Sequence, residues 1–86
     1  MSYKVKLTSH ALKELDRLRG DTYKRLESAI NDLSENPRPA GCCKLENSVN
    51  QWRIRVGEYR IIYTIDDTIK EVIIYRIGHR RSIYEF

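Results

Sequence analysis

A chain of 86 residues with 16 Lys and Arg against 12 Asp and Glu, net charge +4, is long enough for one domain with a modest core and too short for two. No apolar run approaches the ~20 residues that span a bilayer, and the opening MSYKVKLTSH lacks the apolar stretch of a secretory signal, so a cytoplasmic protein is the expectation. Cys42 and Cys43 are adjacent, with neither a second pair nor CxxC spacing, which reads as two reduced thiols rather than a zinc site; no metal or other cofactor is expected.

Tyr3-Lys4-Val5-Lys6-Leu7 alternates apolar and basic residues, the period of a half-buried strand. Thr8 or Ser9 can cap a helix whose stripe is Ala11, Leu12, Leu15 and Leu18, and Gly20 is placed to end it. Asp21 can cap a second helix, with Tyr23, Leu26, Ile30 and Leu33 at helical spacing and Asn36-Pro37 as its stop. So short a connection predicts an antiparallel helical hairpin.

Residues 37–50 hold both prolines, a glycine and both cysteines and read as a loop. After them the period becomes two. Gln51 to Val56 and Tyr59 to Ile65 make a hairpin about Gly57-Glu58, Asp66-Asp67-Thr68 turns the chain, and Glu71 to Ile77 is a third, very apolar strand. Gly78 punctuates before a tail of residues 79–86. The order β-α-α-β-β-β predicts an α+β fold, residues 1–86 forming one domain: a twisted, mostly antiparallel sheet, the helical hairpin on one face, and a short C-terminal helix or tail.

Cations crowd the second half as arginine: Arg53, Arg55, Arg60, Arg76, Arg80 and Arg81 against only Lys44 and Lys70. Guanidinium suits bidentate phosphate contacts and base stacking. In the hairpin, Trp52, Ile54, Val56, Tyr59, Ile61, Tyr63 and Ile65 share the core face, so Arg53, Arg55 and Arg60 project from the other. Arg55 then lies opposite Arg60, a destabilising like-charge pair. Two readings stand: a prepared anion site, or a solvated face on which Glu46 or Glu58 loosely neutralises the arginines. In a helical turn after Gly78, His79, Ile83 and Phe86 fall on one side and Arg80 and Tyr84 on another, with Arg81 three residues before Tyr84. Cations beside an aromatic ring are the ingredients of single-stranded RNA recognition. The plainer alternative is a frayed basic terminus.

The run WRIRVGEYRIIYTI followed by VIIYRIGHRRSIY resembles the RelE/ParE superfamily of toxin–antitoxin toxins, in its RelE branch. The resemblance covers nearly the whole chain and rests on the paired elements GxYRIIY and GHRxxxY. It implies an mRNA interferase that enters the ribosomal A site beside 16S rRNA and cuts the codon there. The ribose 2′-OH attacks the adjacent phosphate, leaving a 2′,3′-cyclic phosphate and a 5′-OH, without a metal. By the same resemblance Arg60 binds the scissile phosphate, Arg53 and Arg55 take two basic RNA-binding positions with Lys44 nearby, and Arg80 (or Arg81) contacts phosphate. Tyr84 orients or stacks on the RNA. A cognate antitoxin protein is the implied partner.

The chemistry needs a base, an acid and stabilisation of the phosphorane, and arginine suits only the last. His10, at the start of the first helix, reads as structural. His79 adjoins the site and is either packed or catalytic; Tyr84 is the remaining proton carrier. The alternatives are a ParE-like gyrase inhibitor without a catalytic site, and an inactive RNA- or antitoxin-binding module.

Overall fold

A computed structural model describes residues 2–46 and 50–83. Alternation at the N-terminus becomes β1 (Lys4–Leu7), with the lysines exposed and Val5 and Leu7 packed on the core. The Thr8 hydroxyl accepts from the Ala11 N–H at 3.1 Å and so satisfies a donor at the start of α1 (Ser9–Asp16). α1 stops at Asp16 instead of running to Gly20, because the Arg19 guanidinium takes the free Asp16 and Leu18 carbonyls. Gly20, at φ +64°, opens α2 (Gly20–Glu35) in a left-handed conformation that a side chain would strain. Asp21 therefore lies in the first turn, where its charge suits the helix dipole, and is not the cap.

Strands β2 (Cys43–Lys44), β3 (Gln51–Val56), β4 (Tyr59–Asp66) and β5 (Glu71–His79) complete a sheet ordered β1-β5-β4-β3-β2. Only β1 and β5 run parallel. The short β2 sits inside the segment expected to be loop, and β5 runs through Gly78 to His79 rather than stopping before it. Ala11 and Leu15 of α1 and Leu26, Ile30 and Leu33 of α2 meet Ile54, Ile61, Tyr63, Ile65, Val72, Ile74 and Ile77 in one core on the helix side of the sheet. Truncating a fully buried member such as Leu26 costs about 2–5 kcal/mol. The Tyr63 hydroxyl donates to the Pro37 carbonyl at 2.7 Å, tying the proline loop to the core, and burial pushes its phenol pKa upward. No helix among the described residues is long and apolar enough to cross a membrane.

The register of β4 on β5 shifts once. Ile62 lies opposite Arg76 but Tyr63 lies opposite Ile74, so β5 carries an extra residue at Tyr75. The bulge changes which residues face the helices: Val72 and Ile74 before it, Ile77 and His79 after it. Glu14 of α1 holds it in place. Its carboxylate accepts from the Ile77 N–H at 2.8 Å and from the Arg76 guanidinium at 3.3 Å. Glu14→Ala leaves that N–H without its acceptor and is expected to lower stability by about 1–3 kcal/mol in urea denaturation.

A second tether joins the far end of the sheet. Arg38 pairs with Asp67 through two hydrogen bonds of 2.9 and 3.2 Å, stacks over Trp52 at 5.0 Å, and the Tyr3 hydroxyl donates to the same carboxylate at 2.6 Å. Arg38, with help from Tyr3, holds the Asp67 carboxyl down at about 2 from an ordinary 3.8. A depressed carboxylate contributes stability above its unfolded pKa and loses it as pH falls through the folded one. The melting temperature of the wild type should therefore exceed that of Asp67→Asn at neutral pH, and the gap should close between about pH 4 and pH 2.

Candidate RNA interface at the hairpin tip

The tight β3–β4 turn is possible because Gly57 takes φ +60° while Glu58 does not need a positive φ, the pattern of a II′ turn. It fixes the register Val56↔Tyr59, Arg55↔Arg60, Ile54↔Ile61 and Arg53↔Ile62. Arg55 and Arg60 thus oppose one another on the face away from the helices, and Gly78 of β5 lies on the other side of Arg60.

That face is covered in a way the pattern does not announce. Beyond β5 the chain turns over, with the Ser82 and Ile83 N–H groups both donating to the His79 carbonyl at 3.0 Å. Ile83 is fully buried against Gly78, whose missing Cβ would lie 3.4 Å from that of Ile83. Arg60, expected on an uncovered face, is consequently only 9 % exposed, and its Nη1 donates to the Tyr59 carbonyl at 3.2 Å. Arg53 is half-buried and Arg55 is exposed.

The tail is fastened to the tip. The Arg80 N–H donates to the Glu58 carbonyl at 2.8 Å, and its Nε meets the Glu58 carboxylate at 2.6 Å. Both side chains are about half-exposed, so the pair contributes at most about 1 kcal/mol. Its effect is positional: Nε is engaged by Glu58, and among the described residues no hydrogen bond to either Nη group is seen. Glu58, one of the two carboxylates expected near the arginines, is thus paired with Arg80. Arg81 is exposed, with its N–H donating to Nδ1 of His79 at 3.2 Å.

Two predicted residues fall on the opposite face. His79 pairs with Tyr59, their rings edge-to-face at 5.7 Å, on the helix side of the sheet. Lys44 pairs with Trp52 and so shares that side, exposed. The structure therefore gathers Arg55, Arg60 and Arg80 at one end of the sheet with Arg53 alongside, and separates His79 and Lys44 from them. Tyr84 and Phe86 lie outside the described residues. His10 is exposed, with its Nε2 3.7 Å from Glu14.

Both cysteines are free, Cys43 opposite Arg53. Because β2 pairs with Trp52 and Arg53, the outer edge of β3 from Ile54 to Val56 has no strand partner among the described residues. Beside it runs a groove of about 400 Å³ lined by Ala29 and Asp32 of α2 and by Pro39, Ala40 and Gly41.

The sequence profile of the ParE toxin of type II toxin–antitoxin systems (parDE) matches residues 5–84. Toxin RelG of Mycobacterium tuberculosis is 34% identical over 98% of each chain. The putative toxin RelE1 of Methanocaldococcus jannaschii is 30% identical over 99% of this chain and 98% of its own. An archaeal RelE–RelB complex from Pyrococcus horikoshii superposes with a TM-score of 0.83 at 29% identity, covering 95% of this chain and 99% of that one. The chain belongs to the RelE/ParE family of type II toxin–antitoxin toxins. Its two helices and five-stranded mixed sheet are the architecture of the RelE-like structures.

In this RelE-like toxin the Arg55–Arg60 opposition has a thermodynamic signature. Arg55→Leu removes a like-charge contact and is expected to stabilise the free protein by some tenths of a kcal/mol in urea titration. A clear loss of stability would instead mean that Arg55 is held by favourable contacts on a plain solvated face.

Proposed function

We propose that the protein is a ribosome-dependent mRNA endoribonuclease of the RelE type. The observation that carries this reading is the convergence of Arg55, Arg60 and Arg80 on one end of the sheet, in a chain whose curated relatives are RelE and RelG toxins. Buried Arg60, held by the hairpin, stabilises charge developing on the scissile phosphate; Arg80 and the exposed Arg55 hold the flanking backbone, and Arg53 extends the track. The ribose 2′-OH is the nucleophile. Tyr84 and Arg81 are assigned to orienting the RNA and to the phosphate, as the RelE pattern implies.

Among the described residues, no acid–base pair stands beside Arg60: Glu58 is engaged by Arg80, and His79 faces the helix side. Proton transfer is then weakly assisted, and alignment by the ribosome, worth several kcal/mol in barrier, supplies what the protein lacks. Rapid cutting of naked RNA by the purified protein would sink that dependence. The contacts beyond mRNA are with 16S rRNA around the A site, which places the toxin in the cytoplasm.

A cognate antitoxin is the second partner. RelE proteins of Pyrococcus horikoshii and Mycobacterium tuberculosis are seen in complex with RelB antitoxins. Here the outer edge of β3 offers main-chain hydrogen bonds to an extended antitoxin segment. The profile's ParE name favours one alternative, a gyrase inhibitor without catalysis.

Induction of the wild type and of Arg60→Ala in cells, with primer-extension mapping of a translated mRNA, separates these readings. Codon-phased cuts in the wild type that disappear in Arg60→Ala are expected, a loss of at least about 100-fold if Arg60 is the principal stabiliser. Growth arrest without cuts would favour gyrase inhibition.

A further inference from the structure

The helix side of the hairpin tip holds a second cluster of donors that the proposed cleavage does not use. A groove of about 540 Å³ is lined by Thr22 and Arg25 of α2, by the turn Val56–Tyr59, and by His79 of β5. Arg25 lies flat over the turn: a Cβ on Gly57 would stand 3.3 Å from its Nη1 and 3.6 Å from Cζ and Nη2. The bare turn is thus what allows the guanidinium to rest there. Among the described residues, the Arg25 side chain has no hydrogen-bond or ion-pair partner. His79 is oriented by accepting the Arg81 N–H on Nδ1, which puts the proton of the neutral ring on Nε2 and leaves it as a donor. The Tyr59 ring stands edge-to-face with it. The one carboxylate on the rim, Glu58, is already paired with Arg80.

We propose that this groove is a second RNA-binding subsite, taking a backbone phosphate on Arg25, Thr22 and His79 and a base against Tyr59 and His79. Donors whose one neighbouring carboxylate is already engaged by Arg80 select an anion. The aromatic lining and continuity with Arg80 across the turn favour a nucleotide over an acidic side chain. A strand crossing the hairpin tip then has phosphates on both sides of the sheet, Arg55 and Arg60 on one and Arg25 on the other. The proposal extends the reading that RNA is the ligand, but it concerns binding and does not require cleavage.

The test is fluorescence anisotropy of the intact protein with a short labelled single-stranded RNA, 2′-O-methylated so that it cannot be cut, titrated at several salt concentrations. Arg25→Ala is expected to weaken binding several-fold and to reduce the slope of log affinity against log salt by about 0.7, the value for one single-strand phosphate contact. Thr22→Val should weaken binding with the slope nearly unchanged, and it carries the test if Arg25→Ala lowers the melting temperature. Lys13→Ala, an equal loss of charge on exposed α1, should leave both quantities as they are.

Equal losses in Arg25→Ala and Lys13→Ala would show general charge attraction and overturn the subsite. So would unchanged RNA binding in Arg25→Ala and Thr22→Val, or no RNA binding by the wild type at low salt. A glutamate-rich peptide that loses affinity for Arg25→Ala while RNA does not would reassign the groove to a protein partner. Intact effects on binding in a protein that never cuts mRNA would overturn the cleavage reading alone.

Discussion

One extra residue in β5 decides what stands where in this molecule. Without the bulge at Tyr75, strict alternation from Val72 and Ile74 would carry Arg76 and Gly78 to the helix side and expose Ile77. With it, Ile77 closes the core and Gly78 comes up beside Arg60, leaving room for Ile83 to bury itself. Glu14 satisfies the N–H of Ile77 beside the irregularity, so a helix on one face fixes the composition of the other. The charged end of the sheet is thereby set by an interaction made at the edge of β5, beyond the last pairing with β1.

The arginines gathered there are unlike one another. Arg60 is buried and directed by backbone, Arg55 is exposed, and Arg80 is steered by a carboxylate. Burying a guanidinium is costly unless it is hydrogen-bonded, which is why such a group is placed once and supported locally. An exposed arginine gives long-range attraction at little structural cost but is screened by salt. The arrangement separates attraction at the surface from stabilisation at a fixed point.

Much of this was legible in the residues. Alternation in KVKL and WRIRV, the helical stripes around Leu15 and Leu26, and the two-residue turn at Gly57-Glu58 prescribe the elements, the core face and the Arg55–Arg60 pairing. Local chemistry misled at Gly20 and Asp21, where a stop and a cap signal stood at the start of one helix; Arg19 supplied the termination through a long side chain that propensity does not weigh. The bulge, the burial of Arg60 and the closeness of Arg25 to Gly57 had no local signature. Each arises from packing between segments distant in sequence, and a period-two reading of VIIYRIGH places Gly78 and His79 on the wrong faces. The side that Lys44 takes is likewise decided only by its pairing with Trp52.

Surface hairpin tips ordinarily tolerate insertions, since they contact little else. The Gly57-Glu58 turn does not have that freedom. Arg25 rests on one of its residues, and the other holds Arg80 through both main chain and side chain. An epitope or fusion loop inserted there would lift the tail from the sheet and uncouple Arg80 from Arg60 while leaving the core intact. Of the exposed turns in the molecule, this is one where a tag would yield a well-folded protein with a dismantled surface.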